Sequence, residues 1–151
     1  MGTFTVRAII WNPVNPGNKL ELELIVDTGA TYTVIPAVLL RQLGVNPIRT
    51  IRLRLADNSV IERPLGEVGI EVEGYRASAT PVVFGSEGVS LLGSVTMEQL
   101  GLAPDPVLKK LRPTEALLMP LLRLKNRIIP QESKTETPSG MLYLGRLLTF
   151  M

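Results

Sequence analysis

The chain has 151 residues, 45% of them apolar, and a formal net charge of +2, enough for one hydrophobic core and short for two. It contains no cysteine and no histidine. That removes disulfides, thiolate nucleophiles and sulfur-ligated zinc, and every catalytic scheme that uses imidazole as general base. Acid–base chemistry near neutral pH then falls to Asp, Glu, Lys or Tyr.

No apolar stretch approaches the roughly 20 residues needed to cross a bilayer, so no membrane segment is expected. The first ten residues lack the basic and apolar regions of a secretion signal, and Val6 stands where myristoylation requires Ser or Thr. A soluble, cytoplasmic protein is the expectation. Residues 1–104 carry eight basic and ten acidic side chains, net −2, whereas residues 105–151 carry eight and four, net +4. With little aromatic interleaving, this bias reads as a solvated basic tail, and no nucleic-acid partner is expected.

In chain order, residues 3–11 (TFTVRAIIW) read as a strand rich in β-branched and aromatic residues. Asn12–Asn18, with two prolines and a glycine, reads as a loop. Lys19–Val26 alternates polar and apolar up to Leu24 and is then continuously apolar, a half-exposed strand entering a core. Pro36–Leu43 predicts a short helix closed by Gly44. Ile48–Ala56 and Ser59–Pro64 predict two strands joined at Asp57-Asn58, residues that tolerate left-handed backbone. Gly66–Glu73 and Tyr75–Phe84 predict two more, ending at the turn 85–88. Val89–Leu92 runs into Gly93, after which Ser94 is placed to cap a helix through Leu100, with Glu98 near its N-terminus and Gly101 closing it. Strand, glycine-containing turn and short helix thus occur twice, at 22–43 and 82–100, which suggests pseudo-symmetric halves around one core. Ala116–Met119 is a candidate terminal strand, and residues 130–140 have the composition of disorder. The chain divides into a domain at 1–119 and a flexible C-terminal extension at 120–151.

One segment carries candidate chemistry. Leu24-Ile25-Val26 delivers Asp27 to the end of an apolar strand, a position expected to be partly desolvated. Thr28 adds a hydroxyl that donates and accepts, and Gly29 lets the backbone present its amide to the carboxylate. The other two aspartates, Asp57 and Asp105, lie beside Asn and between prolines, where a turn-capping role suffices.

Asp27-Thr28-Gly29-Ala30 after Ile25-Val26 resembles the active-site signature of the retropepsin-like aspartic proteases. Leu91-Leu92-Gly93 before a short helix resembles that family's second hallmark, and the Leu55–Val60 hairpin looks like its flap. The resemblance covers residues 3–119. It implies an all-β acid-protease fold with one lobe per chain, completed as a C2 homodimer that hydrolyses peptide bonds without metal or cofactor. It further implies that Asp27 and its symmetry mate share one proton and activate a water, because two carboxylates about 3 Å apart cannot both ionise. Thr28 would interlock across the two-fold axis and Gly29 would contact carboxylate and substrate. Ala30 and the flap residues Ala56, Asp57, Asn58 and Ser59 would face the peptide, with Leu91, Leu92 and Gly93 as structural support. The chain departs from viral members at the Asp57-Asn58 hairpin tip, at Thr31-Tyr32, where some carry an acidic pair, and in its C-terminal extension.

Other readings remain beside this one. A catalytically silent dimerisation or peptide-binding module could keep the same signature. Asp-x-Gly after a strand also occurs in sugar-kinase and actin-like folds, but the chain is short for those and lacks a Gly-rich phosphate cradle. A nucleic-acid binder acting through the basic C-terminal third would show steeply salt-dependent affinity.

Overall fold

Alternation of apolar and polar residues sets the strands, and the computed structural model describes them over residues 3–118, together with residues 126–131. In strand β1 (Thr5–Asn12) Val6, Ala8 and Ile10 turn inward, while Thr5 and Arg7 face out. A two-residue turn at Pro13-Val14 leads directly into β2 (Asn15–Val26), with Asn12 paired to Asn15 and the Val14 amide donating to Asn12 Oδ1 at 3.0 Å. The loop expected over 12–18 is therefore mostly strand. Pro16 and Gly17 lie in its exposed outer part, where a missing donor and a missing side chain are tolerated.

The chain continues through β3 (Thr33–Pro36), which the sequence patterning did not suggest, and α1 (Ala37–Gln42), bounded by Pro36 and Leu43. Strand β4 (Arg49–Arg54) pairs with β5 (Val60–Val72), a single strand of 13 residues where two had been expected. Pro64 does not break it, because pairing with the next strand, β6 (Tyr75–Gly85), begins only at Leu65. Next come β7 (Leu91–Leu92) and α2 (Ser94–Leu100), whose C-cap Gly101 is left-handed at φ 68°. Strands β8 (Leu102–Asp105) and β9 (Lys110–Pro113) form a separate hairpin that the sequence reading missed. Its inward residues Leu102 and Leu111 are anchored in the main core. No strand forms at Ala116–Leu118, and Leu117 and Leu118 are almost fully exposed; Met119 lies outside the described residues.

Seven strands run in the order β1-β2-β7-β3-β6-β5-β4, and β1 also pairs with β5. Six of them thus close into a ring, leaving β4 appended to β5. Strand β2 lies parallel to β7, β3 lies parallel to β6, and β3 meets β7 antiparallel through Val34 and Leu91. This pattern maps β2, β3 and α1 onto β6, β7 and α2, the doubling that the sequence suggested. Inside the ring Ile10, Leu24, Ile35, Leu40, Ile70 and Leu92 are fully buried, each contributing about 1.5–3 kcal/mol over an exposed side chain. A smaller cluster joins Ile51, Leu53, Leu65 and Val83 to Tyr32 and Val34, seating the base of the β4–β5 hairpin against the segment that follows Asp27.

By contacts the chain divides into two units, Met1–Leu117 and Leu118–Met151. Of the second, residues 126–131 are exposed and carry no regular structure; most of the expected extension lies outside the described residues. Among the described residues no helix is long and apolar enough to cross a membrane.

Candidate active site

Strand β2 ends at Val26, and its last residues keep the two-fold alternation to the end. Leu24 and Val26 are buried while Ile25 is 37% exposed, so the apolar run does not enclose the strand on both faces as the sequence had suggested. Asp27 is half-buried, Thr28 and Gly29 are exposed and Ala30 is half-buried. The Gly29 amide donates to Asp27 Oδ1 at 2.9 Å, and the Ala30 amide donates to the Asp27 carbonyl at 3.2 Å. A Cβ on residue 29 would lie only 3.1 Å from Asp27 Oδ1, so glycine there lets the amide reach the carboxylate without crowding it.

The second hallmark is brought to the first by strand pairing. Ile25 stands beside Leu91 and Val26 beside Leu92, and the Asp27 amide donates to the Leu92 carbonyl at 3.1 Å. Gly93 is the N-cap of α2 and no side chain caps the helix, so the cap expected from Ser94 is not formed and Glu98 lies beyond the first turn. The free amides at the helix start are used otherwise: Ser94 N–H donates to the Ala30 carbonyl at 2.8 Å and Val95 N–H to the Thr31 carbonyl at 3.0 Å. Both ends of the Asp27 loop are thereby tied to the segment Leu92–Val95. Gly93 fits because a Cβ there would sit 2.4 Å from the Tyr32 carbonyl carbon.

Three buried polar neighbours were missed in the sequence: Thr33, Thr80 and Thr96 are fully buried, and the Thr96 hydroxyl is bonded to both of the others. No distinctive signal marks them in the sequence: Thr33 and Thr80 read as ordinary strand residues and Thr96 as one residue of a short helix.

The hairpin tip is built independently. The Leu55 amide donates to the Ser59 carbonyl at 2.8 Å, the Asn58 amide to the Leu55 carbonyl at 3.0 Å, and Asn58 takes the left-handed conformation at φ 68°. Ala56, Asp57, Asn58 and Ser59 are all exposed. Asp57 Oδ1 accepts from the Ser59 amide at 2.9 Å and the Ser59 hydroxyl at 2.5 Å. The Ser59 hydroxyl, and then its amide, hold this carboxyl below the usual carboxylate value. Asp105 caps its own turn in the same way, accepting from Val107 and Leu108 amides, and is likewise held low. Both therefore play the turn-capping part the sequence assigned them.

Among the described residues no group of three or more His, Cys, Asp or Glu is arranged to hold a metal. A concavity of about 450 Å³ lined by Arg7, Glu71, Glu73, Lys109 and Lys110, among others, includes none of the site residues.

Comparison with curated proteins returns no match. The family model described as aspartyl protease matches residues 13–107, more than half of the chain, and spans Asp27–Ala30, the β4–β5 hairpin and Leu91–Gly93. With its single β lobe and this paired loop, the chain belongs to the retropepsin-like aspartyl protease family.

Proposed function

We propose that the protein is an aspartic endopeptidase whose active site forms between two copies of the chain, each supplying one Asp27. The observation that carries this reading is the Asp27 loop: a half-buried carboxylate, bonded through one oxygen to Gly29 N–H, at an open surface and tied down at both ends. A single carboxylate cannot act as acid and base in the same step, and a lobe of this size holds only one Asp-Thr-Gly.

Across a two-fold axis the two Asp27 side chains would share one proton. The ionised member takes a proton from water as its oxygen bonds to the scissile carbonyl carbon, and the protonated member donates to the carbonyl oxygen. The tetrahedral gem-diol then collapses: the proton held by the dyad passes to the leaving nitrogen as the C–N bond breaks, a gem-diol hydroxyl gives its proton to the other carboxylate, and the dyad is again singly protonated. Thr28, exposed in the single chain, would meet its counterpart beside the axis. The β4–β5 hairpin serves as the flap, its tip Ala56–Ser59 covering the peptide and excluding water. The seat of that hairpin on Tyr32 and Val34 supports this role, since it links flap and catalytic segment.

The test is digestion of a mixed peptide library by wild type and Asp27→Asn, with and without EDTA, alongside molecular mass in solution. Cleavage by a wild-type dimer, lost in Asp27→Asn and untouched by EDTA, is expected. A folded wild type that binds peptides without cutting them would replace this reading with the silent binding module.

A further inference from the structure

Beneath the Asp27 loop lies a polar chain that the catalytic scheme does not use. Thr33 on β3, Thr80 on β6 and Thr96 on α2 are each 0% exposed. Thr33 Oγ1 and Thr96 Oγ1 are 2.7 Å apart, and Thr96 Oγ1 and Thr80 Oγ1 are 2.8 Å apart. At the near end the Gly93 amide donates to Thr33 Oγ1 at 3.1 Å. Valine has the shape of threonine without its hydroxyl, so packing alone does not call for three threonines. Buried hydroxyls are costly unless bonded. What they supply here is directional: an acceptor for a buried amide, and a bonded link among three elements.

That link ends where the catalytic loop is held. Leu92, just before Gly93, accepts the Asp27 amide, and Ser94 and Val95, just after it, donate to the Ala30 and Thr31 carbonyls. There is no slack between, because the Gly93 α-carbon lies directly against the Tyr32–Thr33 backbone. Any movement of Gly93 or of the start of α2 is passed to both ends of the loop.

We propose that the Thr33–Thr96–Thr80 hydroxyl chain is a positioning element for Asp27, fixing Gly93 and the first turn of α2 and through them the placement of the carboxylate. It touches no substrate. The inference rests on the reading of Asp27 as the catalytic group. In a two-fold site it matters doubly, because a loop shift of about 0.5 Å in each chain changes the carboxylate separation by up to about 1 Å, outside the tolerance of a working site.

The experiment uses the full chain and a peptide that the wild type cleaves, comparing Thr96→Val with Thr96→Ser. Steady-state kcat and KM are measured separately, together with hydrogen exchange at the Asp27, Ser94 and Val95 amides. Thr96→Val should lower kcat by about 10- to 100-fold with KM within about twofold, and should speed exchange at those amides. Thr96→Ser should restore both. Equal impairment in the two variants would overturn the proposal, because the lost feature would then be the methyl group; so would unchanged kcat and exchange in Thr96→Val. If Thr96→Val does not fold, Thr80→Val breaks the far link, and unchanged kcat and exchange there overturn the proposal equally. Turnover that survives Asp27→Asn, or a wild type without turnover, would instead refute the catalytic reading, while the exchange comparison still decides whether the hydroxyl chain holds the loop.

Discussion

Replacing Gly93 with alanine puts the contact between the two hallmark segments under direct strain. The added Cβ would meet the Tyr32 carbonyl carbon at 2.4 Å, the Tyr32 oxygen at 2.6 Å and the Thr33 nitrogen at 2.7 Å. Carbon contacts are comfortable at about 3.5–4.0 Å, so relief requires a displacement of about 1 Å. All three atoms are backbone, and no rotamer change makes room. Overpacking of this kind costs about 1–3 kcal/mol. In urea, with a slope of about 1–3 kcal/mol per molar, a loss of about 2 kcal/mol moves the unfolding midpoint down by about 1 M. The same displacement at the base of the Asp27 loop should reduce peptide turnover by about 100-fold. Gly17→Ala is the control: its Cβ meets only Asn15 Oδ1 at 3.9 Å, so stability should hold or rise slightly. A Gly93→Ala protein with wild-type midpoint and turnover would show that the close approach of residue 93 to β3 does not hold the loop.

Thr28→Val should weaken the dimer by about 1–3 kcal/mol, because a partner hydroxyl loses its bond at the axis; an unchanged dissociation constant by sedimentation would rule out the interlock. At the hairpin tip, Ser59 holds the Asp57 carboxyl below its ordinary value of 3.8, so the support that the charged carboxylate gives the turn is fully present above that value and is lost as pH falls through the lowered one, while the backbone bonds of the turn remain. Ser59→Ala should move the Asp57 carboxyl titration up toward its ordinary position, and an NMR titration that does not move would contradict the assigned bonds. Ala30 has no hydroxyl to donate toward Asp27, whereas a serine there would have one. Ala30→Ser should shift the pH–activity bell lower, and superimposable bells would refute that hydrogen-bond reasoning.

The candidate site was legible as a motif because it is made of consecutive residues. Asp27, Thr28 and Gly29 follow an alternating strand, and Leu91, Leu92 and Gly93 precede a helix closed by Gly101, patterns that local sequence expresses directly. The β4–β5 hairpin was legible at its tip, where Asn58 adopts the left-handed turn its side chain tolerates, but not along its length. There Pro64 looked like an end and proved harmless, because β6 pairs only from Leu65 onward. Strand β3 was hidden because Thr33–Pro36 is four residues long and its partners, β6 and β7, lie about fifty residues away along the chain. The loop clamp and the threonine chain were invisible for the same reason: they join Ala30 and Thr31 to Ser94 and Val95, and Thr33 and Thr80 to Thr96, and nothing local announces that these meet. Ser94 misled because a serine after glycine resembles a cap, whereas the helix amides at 94 and 95 bind the Asp27 loop.

The shared dyad is tested most directly by mixing chains. Wild type is combined with increasing amounts of Asp27→Asn at concentrations where dimers exchange, and peptide hydrolysis is measured per wild-type chain. If each site takes one Asp27 from each of two copies, mixed dimers are inactive, activity follows the square of the wild-type fraction, and an equal mixture retains about half the specific activity per wild-type chain. Activity per wild-type chain that stays constant at every ratio would show that one chain suffices, and the homodimeric active site would be wrong.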